Sequence, residues 1–142
     1  METCNNIIIA LTLMDRMQSS LHARDRAPIE ARQLKQIQFK LVKILELIQG
    51  TVRSSLIITS IGEVIELINT LLAEPGFVET SAEAKDIICT KISTATVNLY
   101  LFAGKFYEKH EFDYNIGLDN ILRNIVDINL DNGYYFDVEV TQ

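Results

Sequence analysis

The sequence predicts an all-α fold, an antiparallel bundle of four or five helices with a short β-hairpin or strand at its C-terminus. Three observations carry that reading. Apolar residues recur at steps of three and four through four long segments, turn signals fall between those segments, and after residue 126 the period shortens to two.

The first helix is expected over residues 5–22, where Ile7, Leu11, Met14, Met17 and Leu21 share one stripe and Thr3 or Asn5 supplies a cap. The polar stretch from His22 to Ala27 ends it, and Pro28 suits the first turn of a second helix over 28–49. That helix carries a narrow seam of Leu34, Ile37, Leu41, Ile44 and Ile48, and Gly50 stops it. A rotation of about 100° per residue gathers Arg32, Lys35, Phe39 and Lys43 opposite the seam. A solvated face should be charged, but it has no need of a Phe.

A third helix over 54–73 has its main stripe at Ile57, Ile61, Val64, Ile68 and Leu71, widened by Leu56, Ile58, Ile65, Leu67 and Leu72. An apolar arc of about 200° exceeds that of a typical surface helix, which places this helix at the centre of the fold or inside an oligomer. Its β-branched start leaves a strand over 56–61 as the alternative. Pro75 and Gly76 mark the next turn, and Thr80 with Glu83 reads as a capping box for a fourth helix over 81–110. The seam of that helix runs through Ile88, Ile92, Ala95, Leu99, Phe102 and Phe106, and Gly104 weakens it modestly.

Beyond it, Asp113 or Asn115 caps a short helix through Leu118, Leu122 and Ile125. Tyr134, Phe136, Val138 and Val140 then share one face of an extended segment. The turn signal at 131–133 supports a hairpin between 126–130 and 134–140, and an unpaired strand there would present an open edge to a partner.

Length and composition agree with one domain spanning residues 1–142. The chain is 48% hydrophobic and 23% charged, and a domain of this size hides roughly two-thirds of its unfolded surface, so disorder is excluded as the main state. Six Gly and two Pro exclude collagen-like and Pro-rich classes, and two Cys exclude a disulfide scaffold. Cys4 and Cys89 read as free thiols, since neither has a Cys or His at metal-ligand spacing. No basic leader with a small-residue cleavage site precedes the first apolar run. The stretch from Leu56 to Leu72 contains Glu63 and Glu66, each costing about 2.5 kcal/mol or more at a bilayer centre. The expectation is a cytoplasmic protein with no membrane span.

Charge is divided along the chain. Residues 16–53 carry a net +5, whereas residues 54–142 carry −9, within a total of −6. The two parts attract each other within the fold or between copies, or the basic part receives an acidic partner.

Catalytic patterns are sparse. Asp15, Ser19 and His22 fall along one helical face, but side chains on a single helix surface rarely close a triad. His110 lies among Glu108, Glu111 and Asp113 with no second His at a ligating step, which reads as a solvated helix end rather than a metal centre. Residues 104–107 lack the glycine spacing and preceding strand of a phosphate-binding loop. The step from Arg16 to His22 resembles the Arg-to-His spacing of nucleases of the HEPN class, which implies RNA cleavage, although Met17 stands where a polar residue is usual. Arg24, Arg26, Arg32, Lys35 and Lys43 beside Phe39 offer a nucleic-acid surface, opposed by a sequence pI near 4.9.

Over residues 85–128, the run of Leu99, Tyr100, Leu101 and Phe102 in a long helix, followed by a break and a short apolar helix, is similar in spacing to the C-terminal half of flagellar export chaperones. The similarity implies a class, small acidic helical proteins that hold another protein, and assigns no family.

The expected function is accordingly protein binding without catalysis, as an adaptor, export-type chaperone or inhibitor, with no cofactor or metal. The expected partner-binding residues are Arg32, Lys35, Phe39, Lys43, Tyr134, Phe136 and Val138. Homo-oligomerisation is expected from the wide arc of the third helix. A nucleic-acid-directed protein and a self-assembling structural subunit are the competing classes.

Overall fold

The computed structural model describes residues 2–23, 27–53 and 55–109. These residues are mostly helical: α1 (Glu2–Ala23), α2 (Ala31–Ile48), α3 (Ser55–Ala73) and α4 (Ala82–Lys109). The expected fifth helix and C-terminal hairpin fall on residues 110–142 and lie outside the described residues. The strand alternative for 56–61 gives way to the first turns of α3. Once Ile57 and Ile61 share a buried face with Val64 and Ile68, the 3.6-residue period outweighs β-branching.

The helices form a four-membered ring in which α1 packs on α2 and α4, and α3 packs on α2 and α4, with no backbone contact across the diagonals. Gln38 of α2 meets Asn69 of α3, Glu63 of α3 meets Lys91 of α4, and Gln18 of α1 meets Ser93 of α4. Short connections return each helix beside its predecessor, and pairing of Glu30 with Glu79 puts the starts of α2 and α4 at one end, so neighbours run antiparallel. The core includes Leu11, Met14, Leu34, Leu41, Ile61, Ile68, Ile92 and Leu99, all with at most 1% of their surface exposed. Cys89 is buried among them as a thiol, in no disulfide.

The wide arc of α3 is taken up within the chain. Ile58, Ile65, Leu67, Leu71 and Leu72 are half-buried and packed against the core, while Glu63, Glu66, Asn69 and Thr70 remain exposed. One flank of the arc turns to α2 and the other to α4, so a helix between two neighbours needs apolar surface on both sides of its seam.

At one end of the bundle, the connection before α2 and the connection before α4 pair with each other. Glu30 and Glu79 form an antiparallel bridge, and the N–H of Ala31 donates to the Val78 carbonyl at 3.0 Å. The Thr80 N–H donates to the Ile29 carbonyl at 3.0 Å, and the Ile29 N–H donates to the Thr80 hydroxyl at 3.0 Å. The Lys85 ammonium, only 4% exposed, donates to the Ala27 carbonyl beneath them.

This pairing corrects two helix starts. Pro28 does not open α2: residues 28–30 are spent on the bridge, and the helix begins at Ala31 after Glu30, whose N–H donates to the Gln33 side chain at 3.0 Å. Thr80 does not cap α4 either. Its hydroxyl is committed to Ile29, and Ser81 takes the capping role by accepting the Ala84 N–H at 3.1 Å. The expected turns hold. Gly76 has φ +75°, and the Phe77 N–H returns to the Glu74 carbonyl at 3.2 Å, as a type II turn with Pro75 at its second position requires.

Candidate functional site

With α1 and α3 on its flanks and α4 across the ring, α2 presents its outward face to solvent over its whole length. The capped start after Glu30 fixes the register, and the seam of Leu34, Ile37, Leu41, Ile44 and Ile48 is buried. Arg32, Lys35, Phe39 and Lys43 are therefore all exposed on the opposite side, where the sequence places them. Phe39 is 74% exposed, the highest value among the exposed large hydrophobic residues of the described chain. Arg32, Lys35, Gln36, Phe39 and Lys40 together line a shallow depression.

Two parts of this surface escape the sequence reading. Lys40 adds a fourth cation at the edge of the depression, so α2 carries Arg32, Lys35, Lys40 and Lys43 against Glu46 alone. Farther along, Val42, Leu45, Glu46, Gln49, Gly50, Val52 and Ile58 line a recess of about 460 Å³ at the turn from α2 to α3. Val42 is 41% exposed there, and Val52 is buried. The available signal is that Val42 and Leu45 are apolar residues off the α2 seam. The contribution of Ile58 is invisible to periodicity, since it comes from the neighbouring helix.

The depression and the recess follow one another along α2 with no lining residue in common, the recess lying on the flank toward α3. From Arg32 to Gln49 they span about 26 Å along the helix at 1.5 Å per residue, the first cationic and aromatic, the second apolar. An occupant that satisfies both parts carries acidic and apolar residues together.

Tyr134, Phe136 and Val138, the other expected partner-binding residues, lie outside the described residues. His110 and the metal reading attached to it lie outside them as well. Among the described residues, no three of His, Cys, Asp and Glu gather where a metal ion would be held. Arg16 is exposed on α1, and His22 stands six residues on along the same helix. Asp15 and Ser19 are half-buried on α1.

The interior of the α1–α4 contact holds a polar cluster that the sequence reading also missed. The Gln18 amide, 4% exposed, donates to the Ser93 hydroxyl at 3.1 Å and to the Thr96 hydroxyl at 3.4 Å. Thr96 in turn donates to the Ile92 carbonyl at 2.6 Å. Ser93 and Thr96 have no exposed surface, so the cluster is closed to substrate and acts within the core. Its signal was Gln18 standing seven residues after Leu11, on the apolar stripe.

By length and composition, α3 and the Ala82–Phe106 portion of α4 are apolar enough to cross a membrane. In the bundle these two helices pack on each other, with Lys91 and Glu63 paired at 3.0 Å at the edge of their contact.

No protein-family model matches the chain, and neither a curated protein nor a solved structure matches it.

Proposed function

We propose that the protein is a non-catalytic interaction module that holds an acidic protein partner against the outward face of α2. The observation that carries this reading is Phe39, 74% exposed amid Arg32, Lys35 and Lys43. An exposed ring surrounded by cations is a poor choice for a face that meets only water. It is a good anchor for a partner bringing carboxylates and apolar side chains, because charge steers the encounter and burial of the ring holds it. Adaptor, export-type chaperone and inhibitor are the roles such a face serves.

The test is co-purification from the native host with nuclease-treated extract, using the wild-type chain, K35E/K43E and Phe39→Ser. The expected result is an acidic protein recovered with the wild type, weakened by both variants, at unchanged helicity. Equal recovery with all three proteins retires the face. Association that disappears on nuclease treatment transfers the surface to nucleic acid, and a homodimer or larger assembly abolished by K35E/K43E transfers it to a second copy.

A further inference from the structure

Glu74, Glu79, Glu83 and Asp86 are exposed along the connection into α4 and its first turns. Lys85, the one cation between positions 74 and 87, is buried under the paired connections, so that surface carries negative charge alone. It also exposes two large apolar side chains, Val78 at 67% and Ile87 at 39%. On α2 the sign is reversed: Arg32, Lys35 and Lys43 are exposed around Phe39, with Lys40 at the edge. Among the described residues, four of the five exposed large hydrophobics, Phe39, Val42, Val78 and Ile87, lie on these two surfaces. Each surface is therefore apolar contact area set among charges of one sign, the composition of an interface rather than of a solvated face.

The two surfaces cannot satisfy each other within one chain. Helices α2 and α4 lie across the ring from one another and make no contact. Burial of the Leu34 seam on α2, and of Ile88 and Ile92 on α4, turns Phe39 and Ile87 to opposite sides of the bundle. Among the described residues, none of Arg32, Lys35, Lys40, Lys43, Glu74, Glu79, Glu83 and Asp86 has an ion-pair partner in its own chain. Between two copies the surfaces do meet: unlike charges attract, and the Phe39 ring is buried against Val78 and Ile87.

We propose that the α2 face receives the acidic start of α4 of a second copy of this chain. The inference rests on the reading of α2 as the partner-binding face and narrows its acidic partner to the chain itself, whose own net charge is −6. The contact joins unlike surfaces, so a dimer still offers one α2 face and one acidic surface, and assembly continues head to tail. It weakens as salt rises, because exposed charge pairs are screened.

The experiment is sedimentation equilibrium on the full chain, from about 5 to about 200 µM at low salt, where screening is weakest. The expected result is an average mass that rises with concentration past twice 16.1 kDa. K35E/K43E and E79K/D86K, the second sparing Glu83 at the helix start, should each weaken association about tenfold or more at unchanged helicity, as should about 0.5 M salt. R53E, in the turn between α2 and α3, should change it less than about twofold. A chain carrying both double substitutions exchanges the signs of the two surfaces at unchanged net charge, and should recover most of the assembly. A wild-type chain that stays at 16.1 kDa throughout, unchanged assembly in E79K/D86K, or a combined variant as weak as either double variant overturns the proposal. If E79K/D86K leaves assembly unchanged while K35E/K43E still loses its acidic protein on co-purification, this inference alone falls. If K35E/K43E loses neither, the α2 reading falls with it.

Discussion

Thr80 and Ile29 hold each other by two hydrogen bonds of 3.0 Å, one through the Thr80 hydroxyl and one through its N–H, across 51 residues of chain. Both residues are at most 5% exposed, so water cannot replace either bond. The pair ties the connection before α2 to the connection before α4 and sets where both helices begin.

Replacing Thr80 by Val keeps the side-chain shape and removes the acceptor, stranding the Ile29 N–H in the interior. The expected cost is about 1–3 kcal/mol, read as a lower midpoint in denaturant titration followed by circular dichroism. Thr80→Ser, which keeps the hydroxyl, should recover most of it. Equal midpoints for Val and wild type would show that the hydroxyl contributes nothing.

The Gln18 cluster should behave as a unit. Gln18→Ala removes the amide that Ser93 and Thr96 share and leaves a cavity, for an expected loss of about 2–4 kcal/mol. The triple variant Gln18→Leu, Ser93→Ala, Thr96→Val replaces the cluster with apolar groups and should lose less than the single change. A double-mutant cycle between Gln18 and Ser93 is expected to give a coupling of about 0.5–3 kcal/mol, whereas additive losses would dissolve the cluster into independent contacts.

Two glycines should respond to alanine in opposite directions. Nothing within 4 Å would meet a Cβ at Gly62 or Gly76, so space decides neither case. At Gly76, φ +75° makes Ala strained, with an expected loss of about 1–2 kcal/mol. Gly62 lies within α3, where Ala should add about 0.5–1 kcal/mol. Calorimetry on the two single variants checks the pair, and a gain at Gly76 would contradict the turn geometry.

Charge reversal on the α2 face should leave stability almost unchanged. Lys35 and Lys43 are exposed, and exposed charges typically contribute less than about 1 kcal/mol. The melting temperature of K35E/K43E should fall within a few degrees of wild type at 0.15 M salt. A large drop would mean that these lysines support the bundle, and binding losses in that variant could not then be assigned to the face.

The helices were legible because each is a local pattern. Leu34 to Ile48 and Ile88 to Phe106 repeat at the helical period, and Gly50, Pro75 and Gly76 mark the turns, so element type and approximate bounds follow from residues a few positions apart. The exposure of Arg32, Lys35, Phe39 and Lys43 was equally local, since burying the Leu34 seam turns them outward. Other features depended on residues far apart in the chain. Thr80 satisfies the capping pattern with Glu83, yet its hydroxyl goes to Ile29, and Ser81 caps instead. Gln18 finds Ser93 and Thr96 75 and 78 residues away, and the wide arc of α3 is divided between α2 and α4. The physical reason is common to all three. Periodicity determines which face of a helix must be buried, but only the packed bundle determines which polar group in that face meets another, and a buried hydroxyl or amide goes to whichever partner spares it desolvation.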